Sequence, residues 1–241
     1  MEKINGLDLF TGIGGITIAL SDWVCPIGYC EIDPFCRAVL FNRMQEGLLP
    51  FAPIWDDVKT LQPNDLPRRI DIIYGGFPCQ DISLAGMQAG LGGARSGLFF
   101  EIIRLATLIQ PAFLFLENVA GIFRNGIQTV LEEITKAGYD CRYGILSARD
   151  VGAPHQRERW FLLAHARSQR LEGVLQAERK EHMQSTVIFT PRRSEKWITE
   201  PNVVRVVNGI PLRMDRTKAL GNSVVPDQAK QAFQMLMGLT K

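Results

Sequence analysis

With 241 residues, 46% of them hydrophobic, the chain holds enough apolar material for one substantial domain and a small appendage. No apolar run near the N-terminus is long enough for a signal peptide or a membrane span, so no membrane partner is expected and the compartment is read as cytoplasmic. The net charge of +2 conceals an asymmetry: residues 142–218 carry fifteen Lys and Arg against eight Asp and Glu, leaving the rest at −5, a pattern expected when one face meets a polyanion.

INGLDLF (residues 4–10) is an apolar run of strand length, followed by a glycine turn and a helix beginning near Gly15. Glycines 12, 14 and 15 let the backbone turn tightly and approach a ligand, although a purely structural turn would use them too. The spacing is G-x-G-G with Thr17 beyond it, so the dinucleotide fingerprint G-x-G-x-x-G is not met. PIGYCEI reads as a second strand ending in Glu31, where a carboxylate can accept both hydroxyls of a ribose. PFCRAVLFNRM has helical spacing with Pro34 in its first turn. WDDV (55–58) closes a third strand-like segment with another carboxylate pair.

DIIYGG is the next strand and runs into GGFPCQDIS (75–83). Cys79 stands just past the strand's C-terminal end, where open α/β sheets build their sites; a free cysteine is also readily a small buried hydrophobe. SGLFFEIIRLATLI reads as a helix and AFLFLENV as a very apolar strand. Its apolar residues run straight into Glu117 and Asn118. A carboxyl at such a mouth is partly desolvated and raised in pKa, unless it simply emerges into solvent. GIQTVLEEITKAG is a helix with a glycine cap, and YDCRYGILSA and RERWFLLAHA are further strands. HQRERW (155–160) sets Arg157 and Arg159 on one face of the last of these.

From about Arg167 to Asn202 the periodicity dissolves into charged sequence, after which RVVNGIPLR, the polar turn ALGNSVVP (219–226) and an amphipathic closing helix look globular again. Strand–helix alternation of this kind implies an α/β fold with a largely parallel sheet covered on both faces. The cysteines (Cys25, Cys30, Cys36, Cys79, Cys141) are odd in number and form no C-x-x-C pair; free thiols are expected and a metal site is not.

DLFTGIGG, GGFPCQDIS, FLFLENVAG, RERWFLLA and ALGNSVVP occur here in the order seen in DNA cytosine-5 methyltransferases, which use S-adenosylmethionine, and the chain resembles that family everywhere except roughly residues 167–203. The resemblance implies a Rossmann-like S-adenosylmethionine-dependent methyltransferase sheet with a small target-recognition lobe. It divides the chain into a catalytic domain at 1–166, a short recognition region at 167–203 and a return to the catalytic domain at 204–241. It also implies that Phe10, Gly12, Gly14 and Gly15 line the cofactor, Glu31 holds its ribose, Ile32 packs on the adenine, and Asp57 and Val58 meet the adenine edge. Pro78, Leu98, Asn222 and Ser223 would complete that pocket. Cys79 would be the nucleophile, with Glu117, Arg157 and Arg159 around the target base. Gln80, Ser83 and Arg95, in or beside a glycine-rich loop from Asp81 to about Ser96, and Arg192 and Arg193 in the recognition region, would meet DNA.

This sequence departs from the family in two places. Where the family has glutamine just after the proline of its Gln-x-Arg-x-Arg motif, this chain has His155, with Gln156 shifted by one; and the recognition region is very short. The expected partner is double-stranded DNA, bound by a monomer; a companion restriction endonuclease fits the same reading. The alternatives are a cytosine-5 methyltransferase acting on RNA or tRNA, and a non-catalytic DNA-binding relative, against which the intact Cys79, Glu117 and arginines argue. A dinucleotide oxidoreductase is disfavoured by the missing third glycine of the fingerprint.

Overall fold

A computed structural model describes residues 2–78, 97–167 and 223–239. Their strands form one seven-stranded sheet in the order β3-β2-β1-β4-β5-β7-β6. The strands are β1 (Ile4–Leu9), β2 (Val24–Cys30), β3 (Ile54–Trp55), β4 (Ile72–Gly76), β5 (Phe113–Val119), β6 (Tyr139–Ser147) and β7 (Glu158–Ala166). The described α-helices are α1 (Gly15–Leu20), α2 (Pro34–Gln45), α3 (Leu98–Ile109), α4 (Ile122–Asn125), α5 (Ile127–Lys136) and α6 (Pro226–Met237). The α/β architecture expected from the alternation of elements is therefore present. The third strand is only two residues long.

Alternation within the strands explains the layers. Leu7, Leu9 and Ile73 point into a core shared with Phe99, Ile102 and Leu105 of α3 and Val130 and Ile134 of α5. Ile72, Tyr74 and Phe115 point the other way, against Ile16 and Leu20 of α1 and Ala229, Phe233 and Leu236 of α6. Burial on both faces is why these strands read as near-continuous apolar runs. α2 begins with Pro34 at its first turn and with the Asp33 carboxylate accepting from the amide of Phe35 at 2.9 Å, so its start is fixed by proline and cap together.

Two features of the topology place the site. β1, β2, β3, β4 and β5 are all parallel, and from β1 the chain runs outward to β2 on one side, whereas β4 and β5 extend the sheet on the other. That reversal leaves a crevice at the C-terminal ends of β1 and β4. β7 is inserted antiparallel between β5 and β6, with Val119 opposite Arg159 and Glu117 opposite Phe161. Its first residues therefore arrive at the same edge of the sheet as the last residues of β5. Among the described residues no helix is long and apolar enough to cross a membrane.

Candidate active site

A cavity of about 700 Å³ opens along this edge, a size suited to a nucleoside-sized ligand. Phe10, Gly12 and Gly15 line it, as do Glu31, Ile32, Asp57, Val58, Pro78, Leu98 and Ser223, together with Glu117 and Arg159. Gly14 does not. It holds φ +87° as the N-cap of α1, and a Cβ on it would lie 2.9 Å from Leu49 Cδ1, so its backbone angle and close packing account for the glycine.

The glycine turn is anchored from below. Thr11 donates its hydroxyl to the carbonyls of Asp8 at 3.0 Å and Cys30 at 3.3 Å, and Phe10 takes φ +55°, a left-handed angle uncommon for an aromatic residue. Glu31 is buried at the end of β2, its two carboxylate oxygens accepting from the amides of Gly12 (2.7 Å) and Asp33 (2.8 Å). These bonds fix the carboxylate beside the cavity while leaving lone pairs for a ligand. Ile32, next along, is 71% exposed on the cavity's rim. On Gly12 a Cβ would meet no atom within 4 Å, so the space beside that residue is open.

The other half of the cavity carries the titratable groups. Glu117 and Arg159 meet as diagonal neighbours across the β5–β7 pair, with Arg159 Nε 2.7 Å from Glu117 Oε1. Burial pushes the Glu117 carboxyl up to about 7 against the opposing pull of Arg159 and Arg157. Close to neutrality the group thus holds or shares a proton. Arg157, just before β7, donates from Nη2 to the Ser223 carbonyl at 2.8 Å and ties the segment before α6 to this end of the sheet. The fully buried Gln228 of α6 reinforces the junction, giving its amide hydrogens to the carbonyls of Leu146 (2.6 Å) and Arg157 (2.7 Å). His155 and Gln156 are exposed in the turn that precedes β7.

Cys79, Gln80, Ser83, Arg95, Arg192, Arg193 and Asn222 lie outside the described residues, as do the loop 81–96 and all of the recognition region 167–203 beyond Arg167. The chain leading to Cys79 is described. Asn118, buried at the end of β5, donates to the Phe77 carbonyl at 2.9 Å and so fixes the peptide two residues before the cysteine. Cys30 also lines the cavity, but burial pushes its thiol up to about 12, which removes it as a nucleophile. Among the described residues no group of three or more His, Cys, Asp or Glu could hold a metal ion.

Two contributors escaped the reading of single segments. Gly76 faces Glu117 in the β4–β5 register, and a Cβ on it would come within 2.5 Å of Glu117 Oε2; the pairing of GGFPC with LENV across two strands is the signal. Asn118 was visible beside Glu117, but its bond to Phe77 depends on that same register.

Residues 4–235 match the family described as C-5 cytosine-specific DNA methylase. The chain is 30% identical over 229 residues to the Type II methyltransferase M.CviJI of Paramecium bursaria Chlorella virus IL3A, an alignment covering 94% of this chain and 58% of that protein. It is 29% identical over 243 residues to the Type II methyltransferase M.HpaII of Haemophilus parainfluenzae, covering 94% of this chain and 64% of that one. The crystal structure of a variant of Spodoptera frugiperda DNMT2 shares the fold, with a TM-score of 0.60 and 18% identity, covering 79% of this chain and 56% of that one. The chain spans about half the length of the curated relatives it matches.

Proposed function

The chain belongs to the C-5 cytosine-specific DNA methylase family, and on that premise we propose that it transfers a methyl group from S-adenosylmethionine to C5 of cytosine at a specific site in double-stranded DNA, acting as a monomer. One observation carries the proposal: the Glu117–Arg159 pair, 2.7 Å apart, stands in the same cavity as Gly12, Glu31 and Asp57. A polar pair able to grip a pyrimidine and a cradle suited to a nucleoside thus line one cavity.

The residues fit the cofactor. Glu31, oriented by the amides of Gly12 and Asp33, has the free lone pairs to accept ribose hydroxyls, and Ile32, Asp57 and Val58, which line the same cavity, would hold the adenine. S-adenosylmethionine, when bound, supplies an electrophilic methyl group. Cytosine C5 is too poor a nucleophile to take it unaided, and the work of this chain is to activate the ring.

We assign the attack to Cys79, which follows directly on the cavity-lining Pro78. Its thiolate adds to C6, and the ring becomes an enamine nucleophilic at C5. Glu117, protonated or proton-sharing at neutral pH because burial raises it to about 7, hydrogen-bonds N3 as charge accumulates there. Arg159 holds O2. Arg157, through Ser223, keeps the cofactor side and the base side in register. After transfer a base takes the C5 proton, and elimination across C5–C6 restores the aromatic ring and the free thiolate. C6 is inaccessible inside a stacked duplex, so the target base must be extruded, at a cost of about a few kcal/mol. The segment 167–203 is assigned to site recognition, flanked by catalytic segments 1–166 and 204–241.

Transfer of tritiated methyl from S-adenosylmethionine to duplex DNA and, separately, to tRNA tests the reading. Label in cytosine of the duplex alone is the expected result. Label confined to tRNA would replace the substrate, and label in neither would overturn the activity.

A further inference from the structure

Three of the loops that line the cavity are held from outside it by guanidinium groups. Arg43 of α2 donates to the Ile13 carbonyl in the glycine turn. Arg37 of α2 donates from Nη1 to the carbonyls of Glu31 (3.1 Å) and Ile32 (2.7 Å). Arg104 of α3 donates from Nη2 to the carbonyls of Val58 (2.9 Å) and Leu61 (3.0 Å), while its Nε is held by Glu101 at 2.6 Å. None of the three lines the cavity.

The Arg104 contact does the most. The turn after β3 closes on Asp57, whose carbonyl accepts from the Thr60 amide (3.1 Å) and hydroxyl (2.9 Å) and whose carboxylate accepts from the Lys59 amide (3.0 Å). The Val58 and Leu61 carbonyls both fall to Arg104, at the second turn of the helix whose first residue, Leu98, lines the cavity. One guanidinium therefore joins two walls of the pocket, and a planar fork offers fixed donor directions that a lysine ammonium does not.

We infer that Arg104, with Arg37 and Arg43 in parallel roles, is a positioning residue that holds the cofactor loops in their binding geometry before the cofactor arrives. The inference rests on the proposed reading of this cavity as the S-adenosylmethionine site. Loops already ordered lose little freedom on binding, so removing the guanidinium makes the ligand pay for the ordering. The loss falls on cofactor affinity more than on the transfer step.

The test is calorimetric titration with S-adenosylhomocysteine of the wild type, Arg104→Met, Arg104→Lys and the control Arg69→Met, whose arginine is 75% exposed and 3.8 Å from Asp71. Amide hydrogen exchange is measured on each free protein. Arg104→Met should bind roughly tenfold more weakly, the scale of losing hydrogen bonds from a charged donor. Arg104→Lys should recover part of the loss, and Arg69→Met should match the wild type. Exchange should quicken at residues 58–61 in the Arg104 variants and stay unchanged in the β4 and β5 amides, and KM for the cofactor should rise more than kcat falls. Wild-type affinity in Arg104→Met would overturn the inference. Should that variant lose its fold, wild-type affinity and exchange in Arg104→Lys would overturn it equally. Failure of the wild type itself to bind S-adenosylhomocysteine would remove the cofactor reading, while the exchange at 58–61 would still show whether Arg104 holds the loop.

Discussion

Adding a single methyl group at Gly76 should separate catalysis from stability. A Cβ built there lies 2.5 Å from Glu117 Oε2 and 3.6 Å from Glu117 Cδ, whereas ordinary contacts begin near 3.4 Å. The carboxylate must therefore retreat by about 1 Å, because it is the movable end of a side chain and the strand is not. Its 2.7 Å bond to Arg159 cannot survive that shift unchanged, since a hydrogen bond weakens steeply with distance and angle. In Gly76→Ala the stability cost should stay near 1 kcal/mol, the low end for overpacking, because only a side-chain terminus moves. Turnover should fall by about 10²-fold, the scale of a misplacement of about 1 Å at a reacting centre. Gly75→Ala supplies the contrast, its Cβ falling 1.9 Å from the rigid Leu9 carbonyl oxygen, so that variant should fail to fold. Urea unfolding and single-turnover methyl transfer are measured on the same preparations. Wild-type turnover in a folded Gly76→Ala would refute the role given to the Glu117 carboxylate.

Glu117→Gln should slow transfer by about 10²-fold or more while leaving DNA affinity within severalfold, as expected for a group acting mainly in the addition step; an equal loss in both would make Glu117 a binding residue. Because the folded carboxyl is raised from 4.5 to about 7, its contribution to wild-type stability is full below about pH 4.5 and lost as pH rises through 7, by roughly 3 kcal/mol, and the glutamine variant should lack that decline in urea melts taken from pH 4 to 8. Asp8 carries a second such dependence: fully buried, bonded to the Thr17 hydroxyl at 2.5 Å and raised by that burial from 3.8 to about 8, it should cost stability on the order of a few kcal/mol across that window, which Asp8→Asn should abolish. Glu31→Ala strips the Gly12 and Asp33 amides of their acceptor, and titration with S-adenosylhomocysteine should show affinity reduced by about tenfold or more.

The strands and helices were legible because burial on both faces of a parallel sheet leaves long apolar runs bounded by glycine and proline, as in DIIYGG and FLFLENV. The direction of β7 was not. Nothing local in RERWFLLAHA states that it pairs antiparallel between β5 and β6, yet that pairing delivers Arg159 to Glu117. The raised carboxyl of Glu117 follows from composition, since five apolar residues bring it inside before the strand ends. Asp8 sits in an equally apolar strand, but the hydroxyl bonded to it, that of Thr17, comes from a helix and is itself bonded to Tyr74 of another strand. Gly14 is similar: in sequence, a glycine beside a ligand and a glycine beside Leu40 and Leu49 look alike until the helix after β2 is packed against the turn. The arginine contacts to Ile13, Ile32 and Val58 belong to the same class, being side chains that act on backbone distant in sequence.

Bisulfite sequencing of plasmid DNA from cells expressing the protein, beside cells expressing Cys79→Ser, tests the central claim most directly. Wild-type DNA should retain cytosines that resist conversion within one recurring sequence context, and the serine variant should leave none, since a hydroxyl at that position is a far weaker nucleophile toward C6. Full conversion of wild-type DNA, or the same protected cytosines in the Cys79→Ser sample, would contradict it.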